Sequence, residues 1–209
     1  METLWSVSLL ILWIVVLVNL LLTLRMLRWM RGQEALRQQM AAAEQRPELQ
    51  IGDVASDFVA KTLAGESVGL HSYANQSVAF IFVSPHCGHC RQELPLLVRL
   101  APLALERAGV LLVLVSDSSA AQTESWLATI REEDQLDVPL PVLVAPRTMY
   151  QFVLSYNPRG LSPYYCLLDA QGRVQSRGPL GMGDWPQLQQ SWGGPATPRV
   201  TPRVSSRYR

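Results

Sequence analysis

The chain has 209 residues, room for one membrane segment, one domain and a tail, but too few for two full-sized domains beside an anchor. Its net charge of +1 gives no electrostatic ground for a nucleic-acid partner. Three cysteines, two of them close together, exclude a disulfide framework and fit one working pair plus a solitary thiol.

Thr3 to Leu24 carry no charge. As a helix this run spans roughly 33 Å at about 1.5 Å per residue, against a hydrocarbon core of about 30 Å. Trp5 and Trp29 flank it like an aromatic belt. A soluble helix has no use for an apolar surface on every side over this length. The segment before the run holds Glu2 and no basic residue, unlike a cleaved signal peptide. One N-terminal transmembrane helix over 1–24 is therefore expected. Arg25, Arg28, Arg31 and Arg37 follow it, which argues for a cytoplasmic domain. Thiol redox chemistry is commoner on the exported face, where the catalytic domain is expected despite those arginines. The protein is thus read as single-pass in the cell membrane.

Residues 25–50 are dominated by helix formers up to Pro47 and predict a helical juxtamembrane spacer. A compact domain is expected over 51–192. Val78 to Ser84 reads as a buried strand. Cys87 to Ala108 reads as a helix closed by Gly109. Val110 to Ser116 is a second buried strand, and Ser118 to Arg131 a second helix capped by Ser118 or Ser119. Leu140 to Val144 predicts a short strand and Arg147 to Leu154 a short helix. Tyr164 to Asp169 turns through Ala170-Gln171-Gly172 into Arg173 to Arg177, a hairpin. Asp184 to Ser191 is a last helix. This order gives an α/β sandwich with a mixed central sheet. Residues 193–209 carry Arg199, Arg203, Arg207 and Arg209 with no acid, and read as a disordered basic tail.

Chemistry concentrates in Cys87-Gly88-His89-Cys90. Residues three apart share a helix face, so the two sulfurs can meet. Unpaired N–H groups and the dipole at a helix start favour a thiolate on Cys87. Such settings lower a cysteine from about 8.5 into the range of about 3.5–7.5. His86 and His89 add donors and partial positive charge, which favours the reduced form and makes the couple more oxidising. Cys90 is then the shielded, resolving thiol.

Other uses of the pair fit less well. A bridge closing so short a loop is a poor structural staple. His86, Cys87, His89 and Cys90 offer metal donors, but a zinc site recruits a second, distant pair, and only His71 and Cys166 remain. Haem attachment needs His after the second cysteine, where Arg91 stands. A peroxiredoxin frame, Pro-x-x-x-Thr/Ser-x-x-Cys, is met at Ser84 but has Phe80 in place of proline.

The run from Phe80 to Pro95 resembles the active-site segment of bacterial membrane-anchored thioredoxin-like proteins of the TlpA and ResA type, and of their methylamine-utilisation relative MauD. The lead-in Ile51 to Phe58, with Gly65 and Leu70, resembles the opening hairpin of that family, and Leu161 to Val174 its cis-proline strand and turn. The resemblance covers roughly residues 51–190. It implies a thioredoxin-like three-layer sandwich and thiol–disulfide exchange on protein cysteines near the membrane, in the maturation of a redox enzyme or cytochrome. Its partners would be protein thiols and disulfides plus a thiol electron donor or acceptor. The Cys87–Cys90 disulfide would serve as the redox group, with no cofactor and no metal. Pro163 matches the cis-proline facing the cysteines. Glu93 matches a family acid able to exchange the Cys90 proton, and Pro95 a kink in the helix. The alternatives are a metal-binding assembly factor and a peroxiredoxin-like antioxidant. Three departures stand out. His86 replaces the usual aromatic before the first cysteine. Ile81 occupies the strand position where many thioredoxins hold a buried Asp. The Gly-His pair inside the motif is the one seen in protein disulfide isomerases. Cys166 reads as a buried strand thiol.

Overall fold

In the computed structural model, residues 13, 16, 17, 19, 20, 49–146 and 151–194 are described. The chain divides into two units, Met1–Arg46 and Pro47–Arg209, each taken by itself. In the first, Trp13, Val16, Leu17, Asn19 and Leu20 are helical and exposed. The rest of the expected span, the spacer up to residue 48 and the tail from residue 195 lie outside the described residues. Among the described residues no helix is long and apolar enough to cross a membrane.

The second unit is built on the two apolar runs. Strand β3 (Ser77–Val83) and strand β4 (Val110–Ser116) pair in parallel, Val83 opposite Ser116. Buried on both faces, they need no polar alternation, hence their unbroken Val/Leu/Phe character. Strand β6 (Tyr164–Leu168) lies antiparallel to β3 on its other side, and β7 (Val174–Pro179) completes that edge. Toward the opposite edge come β5 (Val142–Val144), β1 (Val59–Thr62) and β2 (Ser67–Gly69). The sheet order is β2-β1-β5-β4-β3-β6-β7, mixed as expected. The strands shift by a residue or two from the expected bounds. Leu140 and Pro141 precede β5 rather than begin it, and the hairpin's second arm runs on to Pro179.

Helix α1 (Gly88–Ala108) carries Cys90, Leu94, Leu97, Leu100 and Ala104 on its buried stripe. That three-and-four spacing is what seats it on the sheet. Gly109, at φ 63° and ψ 23°, ends it in the left-handed conformation that glycine adopts without strain. Pro95 and Pro102 both lie inside this helix, the second unremarked in the sequence reading. Helix α2 (Ala120–Glu133) starts at Ser119 in a capping box with Gln122, later than Ser118 and ending beyond Arg131. Helix α3 (Gln151–Tyr156) runs two residues past the end of the expected Arg147–Leu154, whose first four residues lie outside the described set. It extends further because Tyr156 is buried against Phe58 and Phe80. Helix α4 is Trp185–Ser191, with Trp185 and Trp192 buried at its two ends.

The period of two in β3 divides the core. Val78, Phe80 and Phe82 join Phe58, Phe152, Tyr156 and Cys166 on one face. Ala79, Ile81 and Val83 join Cys90, Leu94, Leu97, Ile130 and Trp185 on the other. Helices on both faces of one sheet make the three-layer sandwich. The cysteine pair belongs to the second face.

Candidate active site

Two chain reversals bring the cysteines to the end of β3. The Cys87 N–H donates to the Ser84 carbonyl at 3.0 Å, closing a tight turn directly after the strand. Cys87 is then the N-cap of α1, in extended conformation (φ −102°, ψ 105°), rather than its first helical residue as the sequence suggested. Its sulfur accepts the Cys90 N–H at 3.3 Å, the role an oxygen plays in an ordinary cap. The Cys87 thiol in turn donates to the Ser162 carbonyl at 3.3 Å.

That carbonyl belongs to the Ser162–Pro163 peptide, which is cis as the resemblance implied. Asn157 fixes the loop carrying it. Its amide nitrogen donates to the Leu161 carbonyl at 2.7 Å, and its amide oxygen accepts the Leu161 N–H at 3.0 Å. On the far side, Leu180 donates its N–H to the Pro163 carbonyl at 3.2 Å. The loop is thus held from both flanks, as a rigid wall beside Cys87.

Both thiols are free, and they differ sharply in surroundings. Cys87 is half-buried; Cys90 is sealed at 0% exposure. Burial pushes the Cys90 thiol well above the usual cysteine range. A hydrogen bond to the Cys87 sulfur pushes the same way, the Ser84 N–H opposes it, and the charges of Cys87 and Asp117 add to the rise. Burial also pushes Cys166 up to about 12, with Arg177 opposing. Cys166 is the buried strand thiol expected, on the face of the sheet away from the pair.

The expected auxiliary groups sit differently. His89 is exposed and its described contacts are Gln92 Oε1 at 3.4 Å and Glu93 Oε1 at 3.8 Å, not a sulfur. The spacing explains this, since residues three and four apart on a helix are neighbours. Glu93 thus faces His89 one turn along the helix. Arg91 points elsewhere again, tying the first turn of α1 to Glu133 at 2.8 Å, the last residue of α2, and to Asp134 at 2.6 Å just after it. His86 is exposed and, with Pro85, Ala121, Gln122, Ser125 and Trp126, lines an open groove of about 440 Å³ beside the motif. Among the described residues, no group of three or more His, Cys, Asp or Glu side chains could hold a metal.

Two contributors were missed from sequence, the Ser162 carbonyl and Asn157 behind it, both brought to Cys87 by the tertiary fold rather than by a local pattern.

These environments predict the order of chemical modification. A raised pKa leaves less thiolate at neutral pH than a free cysteine holds, and only the thiolate reacts. Iodoacetamide on the native protein at pH 7 should alkylate Cys87 alone. Labelling of Cys90 and Cys166 should require strongly alkaline pH or denaturant, rising about tenfold per pH unit below the thiol's own pKa. Mass spectrometry of tryptic peptides reads the order. Labelling of Cys90 at the rate of Cys87 would contradict the sealed geometry.

Comparison with known proteins bears on the family and the fold. The model of the AhpC/TSA family matches residues 51–177. The thioredoxin-like protein YneN of Bacillus subtilis (strain 168) is 29% identical over 127 residues, covering 61% of this chain and 70% of YneN. Among solved structures, a thiol:disulfide interchange protein from Bacteroides sp. superposes with a TM-score of 0.53 at 21% identity, over 70% of this chain and 92% of its own. The thioredoxin domain of a thiol-disulfide oxidoreductase from Bacteroides vulgatus gives 0.52 at 20%, over 68% and 98%. A yeast mitochondrial 1-Cys peroxiredoxin gives 0.54 at 17%, over 68% and 74%. At these identities the structural likenesses carry the fold alone, a thioredoxin-like one.

Proposed function

This chain belongs to the AhpC/TSA family and is an oxidoreductase, and on that premise we propose that it exchanges thiols and disulfides with cysteines of other proteins through Cys87 and Cys90. The observation that carries the reading is the asymmetry of the pair. Cys87 is reachable, at a helix N-terminus, with the Cys90 N–H directed at its sulfur. Cys90 is sealed one turn behind it. A sulfur anion at Cys87 has a donor ready, whereas one at Cys90 must form inside an apolar core.

The cycle follows. The Cys87 thiolate attacks a partner disulfide; the Cys87–partner bond forms and the partner's other sulfur leaves as thiolate. Cys90 then attacks Cys87, the Cys87–Cys90 bond forms, and the second partner sulfur is released. The partner disulfide is reduced by two electrons and the protein dithiol oxidised. A thiol donor resets the pair, and the reverse sequence oxidises a reduced partner. The rigid Ser162–Pro163 loop presents its edge beside Cys87, where an extended partner segment can lie. The Thr3–Leu24 run would hold this chemistry in the membrane, on the exported face, and raise the concentration of membrane-proximal partners. A maturation role for a redox enzyme or cytochrome, as in TlpA, ResA and MauD, is the finer form of the same reading.

The peroxidase alternative lacks its proline, since Phe80 is packed in the core. The metal-delivery alternative lacks a third ligand near the pair among the described residues.

The test is a trap. In the Cys90→Ser protein the mixed disulfide at Cys87 cannot be resolved and should accumulate with its partner attached, identifiable by mass. Recovery of no adduct, from protein whose Cys87 still alkylates readily, would overturn the proposal.

A further inference from the structure

We propose that Asn157 is a positioning residue for polypeptide partners: its carboxamide holds the Leu161–Pro163 edge in place beside Cys87 while the sulfur reacts. The inference rests on the exchange reading above. Asn157 directly follows α3 and is 2% exposed. Its main chain is paired on both sides. The N–H donates to the Val153 carbonyl at 2.9 Å, and the carbonyl accepts the Gly160 N–H at 2.9 Å. The side chain has a different task. Its oxygen accepts the Leu161 N–H at 3.0 Å, and its nitrogen donates to the Leu161 carbonyl at 2.7 Å. A buried amide costs free energy unless it is paired, and an apolar residue would fill the same space without that requirement. Here both bonds go to one residue, whose own side chain is 39% exposed and adds little to the core. What the amide fixes is a stretch of main chain at the surface.

That stretch is the one at the sulfur. The next carbonyl along the chain, Ser162's, accepts the Cys87 thiol at 3.3 Å. One residue further, the Pro163 carbonyl accepts the Leu180 N–H at 3.2 Å. Asn157 and Leu180 thus anchor the two ends of the edge, and Cys87 holds its middle. The middle tie lasts only while Cys87 carries its proton. A thiolate has no hydrogen to donate, and neither has a sulfur in a mixed disulfide. In both reacting states the edge must keep its place without Cys87, and the end anchors remain. Asn157 grips the N–H and the C=O of the residue just before Ser162, so it restrains rotation on either side of the Leu161 Cα. A partner segment laid along this edge finds it already ordered, which lowers the free-energy cost of binding. The benefit goes to a polypeptide, which lies along the edge. A small disulfide needs only the sulfur.

Two disulfides separate these roles on the full chain: a nitrobenzoate aromatic disulfide, and an unstructured synthetic peptide carrying one disulfide. Asn157→Ala removes both bonds to Leu161. It should slow reduction of the peptide by about tenfold to a hundredfold, the range of a small misplacement near a reacting centre. The aromatic disulfide should slow by no more than about fivefold, the worth of one hydrogen bond. Taking the ratio of the two rates removes any change in the amount of folded protein. Asn157→Asp adds a rescue. Protonated, the carboxyl accepts from the Leu161 N–H and donates to the Leu161 carbonyl, as the amide does. Ionised, it keeps only the acceptor and sets a charge against that carbonyl. The peptide-to-aromatic ratio in Asn157→Asp should therefore be near parental at acid pH and fall as pH rises, while the parent's ratio stays level. This variant carries the test alone if Asn157→Ala does not fold. Equal slowing of both disulfides, or slowing of neither, would overturn the assignment of Asn157. A parent protein that fails to react even with the aromatic disulfide would instead overturn the exchange reading itself.

Discussion

Cys87→Ser should abolish exchange, lowering the rate on a disulfide reporter by at least about a thousandfold, roughly 4 kcal/mol of barrier. A serine hydroxyl cannot form a mixed disulfide, and Cys90 cannot take over, since its thiol is sealed and its pKa driven upward. The substitution is well suited to separating chemistry from folding. Cys87 is the N-cap of α1, its sulfur accepting the Cys90 N–H. Serine is among the preferred residues at an N-cap and does the same job with a better acceptor, so the helix start should be held as well or better, by up to about 1 kcal/mol. The expected outcome is an inert protein with an unchanged or slightly raised thermal midpoint. Residual exchange within tenfold of the parent would mean that Cys90 or Cys166 supplies the attacking sulfur, and the asymmetry argument would fail.

How much of this site was legible in the chain depends on whether its parts are local. The Cys87–Cys90 pair, its place after a strand and the stop at Gly109 are all set by residues within one helix length. Apolar runs at β3 and β4 announced themselves because both strands are buried on both faces. The helix start was misplaced by one residue because a cysteine cap carries no sequence signature of the kind Ser or Asp provides. The contact between His89 and Glu93 was legible too, since residues four apart on a helix face each other. The Ser162 carbonyl was invisible for the opposite reason. It is 75 positions from Cys87, and only the pairing of β6 against β3 brings its loop beside the thiol. The end of helix α3 fell two residues beyond the expectation because Tyr156 packs on Phe58 and Phe80, a tertiary cause that outweighs propensity in a short helix.

The same alternation that puts the cysteines on one face makes a second large effect predictable on the other. Phe80 is fully buried in the central strand, edge-on to Phe58 and Tyr73 at 5.4 Å, Phe152 at 5.3 Å and Tyr156 at 5.8 Å. Its neighbours on β4 and β6 are fixed by ladder hydrogen bonds, so the hole left by truncation has little freedom to collapse. Phe80→Ala should cost about 3–5 kcal/mol, out of the roughly 5–15 kcal/mol that holds a domain folded. For a unit of this size the thermal midpoint should fall by roughly 6–20 °C. Phe80→Leu, which keeps most of the volume, should cost about 1 kcal/mol. Calorimetry or a denaturant titration reads both. Phe80 and Cys90 lie in different core clusters, separated by the sheet. The Phe80→Ala protein that remains folded should therefore exchange with a disulfide reporter at the parental rate. A midpoint shift under a few degrees would mean that the aromatic cluster is dispensable. Slowed exchange in the folded fraction would mean that the two faces are mechanically coupled through β3, the strand that carries Phe80 on one side and leads into the Cys87 turn.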